Sequence, residues 1–521
     1  MKTSASADGA VKHILVVGGG TAGWLTACHL AKALNCKANT AVQVTLVESP
    51  DIPTIGVGEG TVPAIRQSLQ YLGISETDLI RHCDATFKQS IRFVDWMAPA
   101  AGKTHYYHHV FDYPERQDFK LTPYWLLSQR QQSYADTLGI QSRICDLGLA
   151  PKLITQPEYN GITNYAYHLD AAKFAALLTR HGTNVLGVHH IKAHVKRVET
   201  SADGAIAAID TDTSGKLTAD LYVDCSGFQA LLIGQALGVK FIAKNDVLFC
   251  DSAIAVQVPY DDPAAPIASS TLATAQSSGW IWDIGLPTRR GVGYVYSSKY
   301  CSSAEAETAL RAYIGKGADA LSYRQIPMQV GYREHFWQKN CVAIGLSQGF
   351  VEPLEATGLL VYDACARMLA DTLPAHSQQF GLAAARFNQH VRSAWDNVID
   401  FIKLHYCLSD RQDSAFWRDN RDENTIPLSL QHKLAQWQCQ VPSAYDFPGR
   451  FDIFHVDNYL YVLYGMHFDT DISMMRHRLV QHERASQLVA SNQQYLKQAL
   501  QALLPHRQLI ERIKQYGLSA I

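Results

Sequence analysis

The sequence has almost no net charge: 46 Lys and Arg stand against 48 Asp and Glu, a formal −2 at pH 7. It has no basic excess to hold a nucleic-acid backbone and no electrostatic reason to seek an anionic membrane. Apolar runs of membrane-spanning length are missing, and residues 1–12 are polar, without the apolar core of a secretion signal; the cytoplasm is the expected location. The 11 cysteines include no C-x-x-C pair and are accompanied by no paired histidine ligands. Their odd number argues against a disulfide framework, so reduced thiols and no metal site are expected. Internal repeats and low-complexity linkers are absent too, which argues against tethered modules.

At 521 residues the chain is longer than one typical core, so two intimately packed domains are expected: residues 1–360 as an α/β unit and 361–521 as a helical cap packed on it. An apolar strand runs into Gly18-x-Gly20-x-x-Gly23, with Thr21 and Ala22 inside the motif. A helix follows, then a strand at 42–48 ending in Glu48. This is the βαβ dinucleotide fingerprint in its proper context. The first glycine makes the tight turn, the second lets backbone approach a pyrophosphate, and the third lets the helix pack close to the sheet. Glu48 stands where a carboxylate accepts from ribose hydroxyls.

Residues 52–61 form a Gly-rich loop containing Gly56, Val57 and Gly58, ahead of a helix at 63–72. Residues 87–96 alternate as a strand, and 106–113 is an aromatic and histidine cluster. Residues 164–178 read as a turn into an amphipathic helix. Stretches 188–200, 205–211 and 216–223 read as a β-meander that returns the chain to the sheet at Asp224-Cys225-Ser226-Gly227, and residues 340–347 read as a third return. Beyond 360 the pattern is helical, at 359–373, 387–405 and 475–504. Three separated segments aimed at one cofactor argue for FAD on a Rossmann-like, flavin monooxygenase-type α/β fold with an inserted meander and a mainly helical C-terminal part. The 25 tyrosines and nine tryptophans suit either plain core or the walls of an aromatic pocket.

With these residues in view, the chain resembles the flavin-dependent halogenases typified by the tryptophan halogenases. The resemblance rests on GGGTAGW at 18–24, IGVGE at 55–59, Phe87-Lys88 with Ile91 and Phe93, DCSG at 224–227, GWIW at 279–282, GYVYSS at 293–298, GLSQGFVEPLEATG at 345–358 and 409–417. It implies that reduced FAD, delivered by a separate flavin reductase, and oxygen oxidise bound chloride or bromide to hypohalous acid, which reaches a lysine beside a small aromatic substrate. Lys88 matches that lysine, and Glu355 matches the carboxylate near it, suited to orient the acid or take the ring proton. Only register separates Glu355 from Glu352. The resemblance also implies FAD contacts at Gly18, Gly20, Thr21, Ala22, Gly23, Glu48, Gly56, Val57, Gly58, Val198, Asp224, Ser226, Gly227, Gly345 and Leu346. Halide would be bound by Thr357 and Gly358, substrate by His109, Phe111, Trp280, Trp282 and Phe454. A homodimer is implied as well.

Three departures bear on function. Gly285 replaces the proline of the family's W-x-W-x-I-P signature, although Trp280 and Trp282 both remain. Ala356 stands where many members have serine. The 445–466 stretch has Phe454-His455-Val456-Asp457-Asn458 where a tryptophan clamp would fall. The reading is therefore a halogenase of an electron-rich indole, phenol or pyrrole, with tryptophan or a derivative among the candidates. Two alternatives stay open: an aromatic hydroxylase on the same scaffold, and a flavin-binding protein without turnover. A nicotinamide dehydrogenase does not account for the extra cofactor segments. Taken singly, Lys88 also fits a lysine snorkelling from a strand, and His109 and Phe111 fit core packing.

Overall fold

A computed structural model of the chain describes residues 9–51, 58–99, 103–114, 118–128, 130–447, 449 and 451–520. The strand His13–Val17 lies central in a six-stranded sheet. It is flanked in parallel by Gln43–Glu48 and Leu221–Asp224, with Cys341–Ala343 and His189–Lys192 further out and Trp337–Gln338 antiparallel at one edge. The central strand does not alternate between apolar and polar residues: Ile14, Leu15, Val16 and Val17 are all buried, as a strand covered on both faces requires. The helix Thr21–Ala33 covers one face and packs on the helix Thr357–Thr372. Three carboxyl-terminal strand ends, at Val17, Asp224 and Ala343, thus point at one crevice, where an open α/β sheet binds its ligand.

A second, seven-stranded sheet carries the aromatic chemistry. Its strand Ser90–Val94 pairs in parallel with Ser270–Gln276 and antiparallel with Tyr106–Val110, so that Ile91 is in register with both Thr271 and His109. Phe93, Ala273, Trp282 and Gly293 form the next in-register row. Side chains alternate between faces, and Trp280, Trp282, Phe93, Tyr107 and His109 share the face turned toward the first sheet. The opposite face buries Ile254, Ile281 and Tyr294 against the helix Ser303–Ile314. Gly293 is required by this row: a Cβ there would overlap the Trp282 ring.

The sequence pattern and the structure differ in five places. The 87–96 stretch divides into Thr86–Lys88 and Ser90–Val94, which enter different sheets. The 188–200 stretch splits: His189–Lys192 joins the parallel sheet, and only Val195–Thr200 enters the meander with Ile206–Thr211 and Lys216–Leu217. The 216–223 stretch likewise divides, its second part becoming the parallel strand Leu221–Asp224. The 164–178 stretch opens with a strand, Ala166–Leu169, before its helix Ala171–His181, because Ala166–Leu169 bridges Glu59–Gly60 and Thr86–Lys88 in a three-stranded sheet. Residues 475–504 are not one helix: a 3₁₀ turn at Ser473–Arg478 precedes the helix His482–Ala502. The long C-terminal helix Phe380–Cys407 returns its last turns to the aromatic face of the second sheet, and the final helix His506–Tyr516 docks beside Thr86–Lys88. Among the described residues no helix is long and apolar enough to cross a membrane.

Candidate active site

The cofactor cradle is made of backbone. Gly18 has φ +118, and a Cβ there would overlap the carbonyl of Cys225; a Cβ on Gly23 would overlap the carbonyl of Gly18. A Cβ on Gly345, with φ +90, would meet Ala22 at 2.9 Å. The three returns therefore touch, and glycine is what lets them. The helix Thr21–Ala33 starts at Gly20 with no side-chain cap and no acid in its first turn, leaving its N–H groups and positive dipole end free for an anion. A Cβ added at Gly20 or Gly227 meets nothing within 4 Å, and Thr21 Oγ1 is buried without a partner. These features fit the pyrophosphate and ribitol of FAD. Glu48 Oε1 takes a 2.7 Å bond from His190 Nε2, and its Oε2 lies over Gly19, the side a ribose would occupy.

Asp224 and Ser226 serve the cradle indirectly. Asp224 Oδ1 accepts from Ser226 N and Oγ, and its Oδ2 accepts from Leu232 and Ile233 N, so this carboxylate is spent on the turn's shape. Leu346 follows Gly345 and is half-buried against the main core, whereas Gly58, at φ +91, has Leu286, Arg289 and Gly291 of the second sheet as its neighbours. Val198 sits in the meander strand, paired with Ile209. Gly56 and Val57 lie outside the described residues.

Lys88 ends the strand Thr86–Lys88 and is 1% exposed. Its Nζ sits 5.5 Å from the centroid of the Phe111 ring and 3.3 Å from where a Gly60 Cβ would be, so glycine at 60 leaves room for the ammonium. Burial pushes its pKa down to about 8, against the upward pull of Glu355. Glu355 is equally buried, yet its pKa is about 2: desolvation acts to raise it, and the charge and hydrogen bond of His109 with the hydrogen bond of His405 prevail. His109 Nδ1 is 2.9 Å from both carboxylate oxygens, and His405 Nε2 is 3.0 Å from Oε1.

Glu352, three residues earlier, faces away from this centre. Its Oε2 accepts from Trp280 Nε1 at 2.8 Å and from Tyr406 OH at 2.7 Å, while Oε1 is buried without a partner. Ala356 occupies the left-handed region (φ 56, ψ 35) at the start of the helix Thr357–Thr372, a conformation that costs an Ala about 1–2 kcal/mol and is borne at this turn. The helix has no side-chain cap, and Thr357 Oγ1 is buried without a partner. Thr357 and Gly358 thus offer free N–H donors that suit a halide. Gly285 is an ordinary strand residue paired with Arg290, and its carbonyl accepts from Thr86 Oγ1 at 2.6 Å. Phe454 turns its ring onto Phe401, with centroids 4.0 Å apart; one turn later, Asn458 Nδ2 reaches His109 Nε2 at 3.2 Å.

The tryptophan halogenase profile matches residues 13–481. Tryptophan 6-halogenase SttH of Streptomyces toxytricini is 38% identical over 453 residues, covering 83% of this chain and 84% of its own. A solved tryptophan halogenase from Shewanella frigidimarina NCIMB 400 superposes with TM-score 0.95 at 43% identity, covering 98% of this chain and 99% of that one. Tar14, a tryptophan C-6 flavin-dependent halogenase from taromycin biosynthesis, gives TM-score 0.89 at 33% identity over 97% and 100% of the two chains. The chain belongs to the tryptophan halogenase family. In this halogenase, then, Lys88, Glu355, His109 and Phe111 converge from three segments, and Trp280 and Trp282 lie on the same sheet face as His109. Sequence reading missed His405, Asn458 and Tyr406. Each is a polar residue in an amphipathic helix, and nothing in the local pattern marks its partner 50 or more residues away.

Proposed function

We propose that this flavin-dependent halogenase uses Lys88 and Glu355 as its halogenating centre and takes an indole-bearing substrate, tryptophan first among them. One observation carries the reading: a fully buried lysine, without an ion-pair partner among the described residues, shares its pocket with an ionised carboxylate and an aromatic wall. Reduced FAD held by the Gly18, Asp224 and Gly345 turns supplies, with oxygen, the oxidising equivalents that convert halide to hypohalous acid. The enzyme needs a partner flavin reductase to renew it. The N–H groups of Thr357 and Gly358 hold the halide. The Lys88 ammonium donates a hydrogen bond to the oxygen of hypohalous acid and polarises the oxygen–halogen bond. As the ring carbon takes the halogen, that oxygen leaves as water with the lysine proton. Glu355 faces the positive charge on the ring and accepts the ring proton; transfer of this proton back to Lys88 resets the centre. His109 and Phe111 supply faces for the indole.

The tryptophan assignment is supported by the names of the relatives and by these aromatic walls. The eleven free thiols support a reducing compartment, the cytoplasm. The implied homodimer is read by sedimentation. The test of the whole reading is to supply reduced FAD, oxygen and bromide to tryptophan, indole, a phenol and a pyrrole. A bromine mass shift on tryptophan or indole is expected; hydroxylated product independent of halide would contradict it.

A further inference from the structure

The reaction leaves one hydroxyl beside the lysine without a task. Thr271 is buried, and its Oγ1 lies 2.8 Å from His168 Nε2. His168 stands on the strand Ala166–Leu169, opposite both Gly60 and Thr86, and is fully buried with no partner on Nδ1. A hydroxyl offers one proton and two lone pairs. The imidazole engages one of these three, whichever way the bond runs, so Thr271 keeps a polar function for another group. Other side chains near the lysine's strand are spent on backbone: Thr86 Oγ1 donates to Gly285 O at 2.6 Å, Thr61 Oγ1 to Tyr167 O at 2.9 Å, and Gln89 Nε2 to Leu149 O at 2.8 Å.

Thr271 and Lys88 border a common space. In the second sheet Thr271 and His109 flank Ile91 in one in-register row, two strands and about 10 Å apart, on the face that also carries Phe93 and Trp282. Glu355 is bonded to His109 at one end of that span, and Thr271 is at the other. Gly60 opens the gap between hydroxyl and ammonium. The point where a side chain at 60 would begin is 3.3 Å from Lys88 Nζ, 3.7 Å from Thr271 Oγ1 and 3.7 Å from His168 Cδ2, its three nearest neighbours across space. Among the described residues no hydrogen bond joins Lys88 to Thr271 directly. An ammonium with three donors and a hydroxyl with a spare function thus face the same small gap, a place for one oxygen-sized group.

We propose that Thr271 is a further catalytic residue, whose hydroxyl shares the oxygen of hypohalous acid with the Lys88 ammonium in the gap before Gly60 and so fixes the direction in which the halogen points. The inference rests on the Lys88 role proposed above. An acid held by the ammonium alone swings about a single hydrogen bond, whereas two hydrogen bonds set the line of its oxygen–halogen bond. As the ring carbon bonds the halogen, the oxygen–halogen bond breaks and its electron pair stays on oxygen. The Lys88 proton completes a water molecule there, and the ring proton goes to Glu355. Thr271 stays bonded to that oxygen throughout and neither gains nor loses a proton. His168 holds the hydroxyl in the rotamer that serves the gap.

Two measurements test this. A high-resolution crystal structure of the wild-type protein without substrate should show an ordered water within hydrogen-bond distance of both Lys88 Nζ and Thr271 Oγ1, standing where the oxygen of the acid would sit. A gap without such a shared water would overturn the proposal. In the second, Thr271→Val removes the hydroxyl and keeps the shape. With reduced FAD, oxygen, bromide and tryptophan, kcat should fall by about 10²-fold at nearly constant KM, more hypobromous acid should escape to monochlorodimedone, and Thr271→Ser should reverse both changes. An undiminished kcat in Thr271→Val, or an equal loss in Thr271→Ser, overturns the role. If Lys88→Met still brominates tryptophan, the reading of Lys88 fails; if Lys88→Met is inactive and Thr271→Val is unimpaired, the role of Thr271 alone fails.

Discussion

Glu352 and Glu355 leave the same turn three residues apart, both essentially without solvent contact, and their pKa values move in opposite directions. Burial raises the Glu352 pKa to about 7, against the hydrogen bonds of Tyr406 and Trp280 and the charge of Lys403. Glu355 stays near 2 because two imidazoles oppose the same desolvation. Burial is common to both, so it cannot be what separates them. The partners decide: indole and phenol donors leave the Glu352 carboxyl raised, whereas His109 and His405 hold that of Glu355 well below its ordinary value. The first is suited to hold Trp280 in place, the second to face a cationic ring.

Amide substitution breaks this comparison most sharply. Glu355→Gln removes the negative charge that would face the ring, so halogenation should fall by about 10²–10⁴-fold, the range of a lost acid–base group. Glu352→Gln keeps an acceptor for Trp280 and Tyr406 and should cost less than about 10-fold; steady-state rates with tryptophan and bromide measure both, and equal losses would erase the distinction. The pH profile gives a smaller effect. In the proposed reaction Lys88 works as the ammonium, and its pKa is about 8, so the rate should decline as pH rises through that value. A rate that instead climbs with pH would favour a neutral amine. The smallest effect is on stability. The Glu355 pKa is depressed on folding, so its contribution is fully present above the ordinary carboxyl value of about 4.3 and is lost as pH falls toward about 2. Urea unfolding midpoints of the wild type and Glu355→Gln, measured at a series of pH values, should therefore converge at low pH and separate near neutrality.

The cradle was legible in the sequence because its demands are local. Gly18, Gly23 and Gly345 are glycines for reasons of backbone approach, and their spacing along the chain declares the strand-turn-helix that uses them. The proposed halogenating centre was legible only through family motifs, which gave Lys88, Glu355, His109 and Phe111. Its electrostatics were not, since Glu355 is held low by His109, 246 residues earlier, and by His405, 50 residues later, and His109 itself meets Asn458, 349 residues on. Likewise, the strand at Ala166–Leu169 was hidden because it exists by pairing with Lys88's own strand. The departures at Gly285 and Ala356 have simple local expressions: an ordinary paired strand residue, and a left-handed residue opening the helix Thr357–Thr372.

The central claim is that halogen reaches the substrate by way of Lys88. It is tested most directly with Lys88→Met, which keeps the length of the side chain and removes the ammonium. Given reduced FAD, oxygen, bromide and tryptophan, the variant should bind flavin as the wild type does and form no bromotryptophan, while hypobromous acid escapes to a soluble scavenger such as monochlorodimedone. Bromotryptophan formed at the wild-type rate and ring position would contradict the account.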